Sequence, residues 1–163
     1  MPQAKTTLSR LPFQGLQTKI DAIRNFYVHS LGVPSIRHFA EKASLGPMGK
    51  PSLAALFSYL KGHLKYFHDP TGVEYIKSPQ VMVSEIESRG WAGGDCDDFA
   101  SLAYTLLRSL GYSAELRVGW YGGASPSHIY DVVRRNGVMI PFDLTLRKLG
   151  DEKPRAVHLV DFA

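Results

Sequence analysis

The hydrophobic pattern of this chain changes its period at Gly111, and that change limits the folds open to it. Before Gly111, apolar residues recur every three or four positions, which is typical of amphipathic helices. Examples are Leu16, Ile20, Ile23 and Tyr27. After Gly111, apolar residues alternate with others, which is typical of a strand. Examples are Ala114, Leu116, Val118 and Trp120. Helices followed by antiparallel strands predict an α+β fold.

The same patterns divide the chain into elements. Helices are predicted over 16–30, briefly after Pro34, from Pro51 onwards, over 79–89, and from Cys96 to Gly111. Strands are predicted over 113–120, 128–135 and 138–143, and the segment 156–162 is expected to add an edge strand. Loops are expected over 45–51, 68–78, 90–94 and 121–127. Residues 1–15 are predicted to be a loose leader and 16–163 a single domain.

Composition excludes several classes of protein. There is no run of about 18 apolar residues, and the N-terminus lacks the apolar core of a secretory signal. We therefore expect a cytoplasmic protein without a membrane partner. The net charge of +4 is too small and too scattered to predict specific nucleic-acid binding. With one cysteine, Cys96, the chain forms no internal disulfide.

Cys96 lies where a glycine-rich turn meets a helix. Gly93 and Gly94 allow the turn, and Asp95 with Asp98 predicts a reciprocal cap, so Cys96 falls in the first helical turn. Backbone N–H groups there stabilise an anion, which lowers thiol pKa values, whereas neighbouring aspartates act in the opposite direction. The alternative is a buried cysteine in an ordinary capped helix. Neither Cys nor His ligands lie near Cys96, so we expect no metal site.

The dipeptide Asn136-Gly137 predicts a two-residue hairpin turn and thereby a register. In that register Tyr130 opposes Asp143, so His128 and Asp143 share a face as diagonal neighbours. The two backbones are then roughly 7–8 Å apart, within reach of a hydrogen bond between the side chains. The alternatives are an exposed hairpin histidine and a rival pair, His68 with Asp69.

These residues resemble the transglutaminase-like superfamily, especially its short bacterial and bacteriophage members. The resemblance rests on Gly94-Asp95-Cys96-Asp97-Asp98, on His128-Ile129-Tyr130 and on Pro141-Phe142-Asp143-Leu144-Thr145, and it covers about Tyr66 to Thr145. It implies a papain-like α+β core with N-terminal helices packed on a small antiparallel sheet. It also implies a catalytic triad: Cys96 as nucleophile, His128 as base and Asp143 as its orienting carboxylate. Leu144 stands where family members often have proline.

The function expected from these residues is acyl transfer through a thioester, as in a thiol peptidase acting on a peptide or protein substrate without a cofactor. The backbone N–H of Cys96 is one oxyanion donor, and Trp91 or Gln80 is a candidate for another, although packing and surface roles are open. Trp120 and Tyr121 are expected to line a wall beside His128.

Three alternatives stay open. An amine acceptor would make the protein a transglutaminase that forms amide crosslinks, and the fold could also belong to a catalytically idle structural or assembly protein. A phosphate-loop interpretation of Gly49-Lys50-Pro51-Ser52 is weak, because Ser44 stands where such a loop needs glycine. The oligomeric state is not readable from the sequence.

Overall fold

A computed structural model describes residues 9–11, 15–69, 74–122 and 128–163. Within these residues the helices are α1 (Gly15–Ser30), α2 (Pro34–Ala43), α3 (Leu53–His63), α4 (Pro79–Arg89) and α5 (Cys96–Ser109). The strands are β1 (Ser9–Leu11), β2 (Leu64–Tyr66), β3 (Glu74–Ile76), β4 (Ala92–Gly94), β5 (Ser113–Trp120), β6 (His128–Arg135), β7 (Val138–Phe142) and β8 (His158–Phe162). The fold is α+β, as the change of period predicts.

Helix α5 is the central element of the fold. Every residue from Asp97 to Leu107 is buried, because α1, α2 and α4 pack around it and the sheet covers another side. Its apolar side chains join two clusters. One cluster lies among α2, α3, α4 and the sheet, and the other lies between α1 and strands β5 and β6. The end of α5 that carries Cys96 is therefore held by packing on several sides.

The main sheet is antiparallel, with strand order β7-β6-β5-β8. Arg135 pairs with Val138 across the turn, and Asn136 and Gly137 both have positive φ, at 52° and 78°. The two-residue hairpin and its register are thus as predicted. Strand β8 adds to the free edge of β5, which confirms the predicted edge strand.

Two short strand pairs correct the predicted loops. Strand β2 pairs in parallel with β4, so part of the glycine-rich segment 90–94 is extended rather than a simple turn. Strand β3, inside the predicted loop 68–78, pairs with β1. Residues 9–11 of the predicted leader therefore have a strand partner, and the domain boundary at 15 stays a prediction. Residues 123–127 of the loop 121–127 lie outside the described residues.

The start of α3 also differs from the prediction. Pro51 forms an isolated bridge with Leu45, and the helix begins two residues later. Ser52 is the N-cap, because its hydroxyl accepts a hydrogen bond from the backbone N–H of Ala55. The predicted cap of α4 does hold: Ser78 caps it, Pro79 occupies the first turn and Gly90 ends it in the left-handed conformation.

Alanine at Gly94 is expected to destabilise the fold by about 1–3 kcal/mol. A Cβ at this position would lie 2.6 Å from Cβ of Asp98, in the cap of α5. Gly62→Ala is the matched control: Gly62 is exposed in α3 and its added Cβ would meet nothing within 4 Å, so it should stabilise by up to about 1 kcal/mol. Urea unfolding of both variants measures the difference, and equal effects would contradict the close approach.

Candidate active site

Cys96 is the first residue of α5, as the capping pattern predicts. The Asp95 side chain accepts hydrogen bonds from the backbone N–H groups of Asp97 and Asp98, and the Asp98 side chain accepts one from Asp95. This reciprocal cap orients the first helical turn. Asp98 also accepts a hydrogen bond from the backbone N–H of Lys77 at 2.7 Å, which attaches the cap to the segment between β3 and α4.

The surroundings of Cys96 raise the pKa of its thiol. Burial is the largest cause, and the negative charges of Asp97 and Asp95 add to it. The backbone N–H of Ile129 and the ammonium of Lys19 act in the opposite direction but do not outweigh them. The sulfur donates to Oδ1 of Asp97 at 3.6 Å. Of the two opposing influences expected from the sequence, the aspartates together with burial outweigh the helix terminus, so the thiol of Cys96 is neutral near pH 7.

His128 and Asp143 are joined by a hydrogen bond, at the diagonal positions that the hairpin register predicts. Nε2 of His128 lies 2.5 Å from Oδ2 of Asp143. The other oxygen of Asp143 accepts hydrogen bonds from the Thr145 backbone N–H at 3.0 Å and hydroxyl at 2.7 Å. The Asp143 side chain is 1% exposed and that of His128 is 9% exposed. The bond through Nε2 leaves Nδ1 of the ring for another partner.

One narrow crevice connects Cys96 with Asp143. Its walls come from the first turn of α5, the start of β6 and the residues that follow β7, and it has no room for a water molecule. Ile129 directs its backbone N–H at Sγ of Cys96, so the sulfur lies beside the residue that follows His128. The first turn of α5 therefore lies beside the start of β6.

Asp131 is a residue of this crevice that sequence reasoning missed. It is fully buried, and neither carboxyl oxygen has a hydrogen-bond partner among the described residues. Burial, followed by the charge of Asp143, raises its pKa well above the ordinary value. The signal in the sequence was a charged residue inside an otherwise apolar stretch of a central strand.

The ring of His128 is held by two tyrosines. Tyr130 stacks on it, with ring centroids 5.2 Å apart and planes 24° from parallel. Tyr121 approaches it edge-on at 6.4 Å, so the predicted neighbour of His128 is in contact with it. Tyr130 is two residues from His128 on the same strand and therefore on the same face, a signal that the sequence already contained.

Tyr66 is another missed residue, and it lies next to the backbone of Cys96. The Cys96 N–H is directed at the Tyr66 hydroxyl. Burial raises the pKa of Tyr66 to about 12, with further contributions from the negative charges of Asp95 and Asp97. The hydroxyl is thus protonated at neutral pH. The parallel pairing of β2 with β4 brings Tyr66 opposite Gly94, which explains the contact across 30 residues of chain.

The remaining candidates lie at other places. Trp91 lines a second pocket of about 310 Å³ together with Phe67 and His68, and Arg89 lies 3.8 Å above its ring. Gln80 is exposed in the first turn of α4. Trp120 packs on the α1 cluster, with its ring 5.2 Å from that of His158. The rival histidine, His68, thus belongs to the pocket with Trp91, whereas the crevice with Cys96 lies beside His128.

Three carboxylates lie close together at the cap of α5. Oxygen atoms of Asp69, Asp95 and Asp98 all lie within 4.8 Å of one another. Burial and mutual repulsion raise the pKa values of Asp95 and Asp98. Such spacing is compatible with a cation, but all three residues have interactions within the protein, and the cluster also supplies the helix cap.

A helix that begins at a cysteine and packs on an antiparallel sheet with a His–Asp pair defines a protein of the papain-like fold class. The particular family follows from the sequence: the chain belongs to the transglutaminase-like superfamily, whose family model matches residues 38–144. The match begins in α2, well before Tyr66, so the superfamily covers more of the helical layer than the motifs suggested.

A solved structure supports the fold. The chain is similar to the crystal structure of a candidate cysteine protease from Cytophaga hutchinsonii, with 18% identity and a TM-score of 0.53. The alignment covers 94% of this chain and 50% of that protein, so this chain spans about half its length. No curated protein matches the chain. Membership of the superfamily supports cysteine-based catalysis as a class of chemistry, and the solved structure supports the fold.

No helix within the described ranges is long and apolar enough to cross a membrane.

Proposed function

We propose that this protein is a cysteine-dependent acyl-transfer enzyme that hydrolyses peptide or amide bonds. One observation carries the proposal: His128 is hydrogen-bonded to the buried Asp143, and the next residue along β6, Ile129, directs its N–H at the sulfur of Cys96. The sulfur thus lies beside the strand that carries the proposed base and its orienting carboxylate, which supports a covalent mechanism with these three residues.

In the proposed first step, Nδ1 of His128 takes the thiol proton as the sulfur of Cys96 attacks the substrate carbonyl carbon. Because Cys96 rests as a neutral thiol, His128 acts as a general base during the attack rather than as the partner of a preformed thiolate. The Cys96 side chain turns from Asp97 towards the ring for this step. Asp143 accepts a hydrogen bond from the Nε2–H group and its negative charge stabilises the imidazolium.

The tetrahedral intermediate then collapses. The C–N bond breaks, the leaving amine takes the proton from His128, and a thioester joins the acyl group to Cys96. A water molecule, deprotonated by His128, then attacks the thioester carbonyl. The C–S bond breaks, the acid leaves, and His128 returns the proton to the sulfur of Cys96. Hydrolysis is the outcome we favour because water needs no binding site of its own, and an amine in its place would give a crosslink.

Tyr66 is our candidate for the second oxyanion donor. Its protonated hydroxyl lies beside the Cys96 N–H, the donor inferred from sequence. A substrate oxygen that entered between them would accept hydrogen bonds from both groups. The pocket with Trp91 and Phe67 lies along Gly93 and Gly94, just before Cys96, and has space for one substrate side chain. Trp91 thus fits substrate binding better than oxyanion stabilisation.

The test is the alkylation rate of Cys96 by iodoacetamide, followed by mass spectrometry between pH 6 and 9. We expect rapid labelling near neutral pH and a fall of about 10²- to 10⁴-fold in His128→Ala, because a general base contributes about that much. His38→Ala, a change at an exposed position on α2, is the matched control and should label as the wild type does.

Two results would contradict the proposal. Sluggish labelling of the folded wild type would favour an idle scaffold, which the raised thiol pKa of Cys96 makes a definite alternative. Equal rates in the wild type and His128→Ala would remove His128 as the base. Thermal unfolding of each variant establishes that a change in rate is not a loss of fold.

A further inference from the structure

A row of polar side chains crosses the main sheet on the face that carries His128. Arg117 of β5 pairs in register with Tyr130 of β6 on one side and with Asp161 of β8 on the other. Because directly opposed residues share a face, the three side chains are neighbours across three strands. The guanidinium of Arg117 donates to both carboxylate oxygens of Asp161, at 2.6 and 2.9 Å.

Glu152 closes this row from the segment between β7 and β8. One of its oxygens accepts a hydrogen bond from the Tyr130 hydroxyl at 2.5 Å and another from Arg117 at 2.8 Å. Burial and the negative charge of Glu152 raise the pKa of Tyr130, so its hydroxyl is a permanent donor. The hydroxyl end of a fully buried ring is therefore fixed by a charge-assisted bond.

The hydroxyl end of Tyr130 contacts Glu152, whereas the face of its ring stacks on the ring of His128. An imidazole held only by its bond to Asp143 could still rotate about that bond, because one hydrogen bond does not define the plane of a ring. The Tyr130 face defines that plane. It also favours the imidazolium that forms during the reaction, since the face of an aromatic ring attracts a cation.

We propose that Tyr130 is a positioning residue for His128 and that Glu152, held by Arg117, sets the position of Tyr130. This inference rests on the proposed function, since it assigns the row of side chains a role in presenting Nδ1 of His128 to Cys96. The segment after β7, which carries Glu152, then helps to orient His128, although it supplies no reacting group.

The experiment combines two variants that preserve the ring stack. Tyr130→Phe keeps the aromatic face and loses the bond to Glu152, and Glu152→Gln changes a partly exposed side chain and should not unfold the protein. Each is expected to slow Cys96 alkylation by about 3- to 10-fold, the range for residues that act through a network. The double variant should be about as slow as Tyr130→Phe alone, because the glutamine weakens the same bond from Tyr130 to Glu152 that the phenylalanine removes. Glu87→Gln, an exposed change on α4, is the matched control.

A second measurement is independent of catalysis. The ring-proton resonances of His128 in NMR spectra should be sharp and shifted upfield by the stacked tyrosine. In Glu152→Gln they should broaden or move, and in Glu87→Gln they should not. Unchanged resonances and rates in Glu152→Gln would overturn the inference. If wild-type Cys96 proves unreactive, the proposed function fails, but the resonances still report whether the row positions the ring.

Discussion

Asp143→Asn is expected to lower kcat by about 10⁴-fold, the size of loss that follows when a triad carboxylate becomes an amide. An asparagine side chain has the same shape, and its oxygen can still accept the two hydrogen bonds from Thr145. Its NH₂ group then faces Nε2 of His128 and donates to it. The neutral ring must therefore carry its proton on Nδ1, the atom that has to accept the proton of Cys96.

The measurement needs a substrate, which profiling against peptide and glutamine-amide libraries should supply. Cys96→Ala gives the background rate, and Asp151→Asn, at an exposed position, is the matched control with an expected rate close to wild type. Turnover by Asp143→Asn within tenfold of wild type would show that the carboxylate does not orient His128. Persistent turnover in Cys96→Ala would remove the thioester mechanism altogether.

The second large effect concerns stability and its dependence on pH. Asp131→Val should make the protein more stable than wild type at pH 7, with an advantage that shrinks as the pH falls towards 4. The Asp131 carboxyl is buried with no hydrogen-bond partner in the described part of the chain, and its pKa in the folded protein is raised. Below about pH 4 the carboxyl is protonated in both the folded and the unfolded chain. Its ionisation then does not affect the free energy of unfolding.

Above that pH the unfolded chain releases the proton and the folded protein holds it. Wild type therefore loses up to about 1.4 kcal/mol per pH unit, relative to the variant, until the folded pKa is reached. Urea unfolding between pH 4 and 8 measures this difference. Asp131→Asn should lose the share of the pH dependence that Asp131 contributes, so its curve should run parallel to that of Asp131→Val, and it should keep the cost of a buried polar group. Parallel curves for wild type and Asp131→Val would contradict the inferred protonation of Asp131.

The parts of the site that depend on short stretches of sequence could be predicted. The start of α5 depends on the reciprocal cap of Asp95 and Asp98, three residues apart. The contact of His128 with Asp143 depends on a two-residue turn that determines the register of the whole hairpin. The sequence pattern predicted the wrong start for α3. Proline at the first helical position favoured Pro51, but the helix begins at Leu53, because the hydroxyl of Ser52 caps it.

Contacts between distant segments could not be predicted. The pair of β2 with β4 is only three residues long and has no turn to announce it, yet it brings Tyr66 to the backbone of Cys96. The bond from Glu152 to Tyr130 likewise depends on how an irregular segment folds back on the sheet. Neither contact leaves a periodic signal, because periodicity reports which face is apolar and not which groups meet on it.

The sequence by itself determined the order of helices and strands, the position of Cys96 at a helix start and the shared face of His128 and Asp143. Each follows from hydrogen bonds and periodicities that span a few residues. Only the tertiary structure decided the charge state of the sulfur. A helix terminus alone would favour the thiolate, but packing removes water from Cys96 and holds Asp97 against it, so the neutral thiol is the more stable form. The opposing charge of Asp97 could be read from the sequence, but burial, the largest cause, is a property of the assembled core that no local pattern contains.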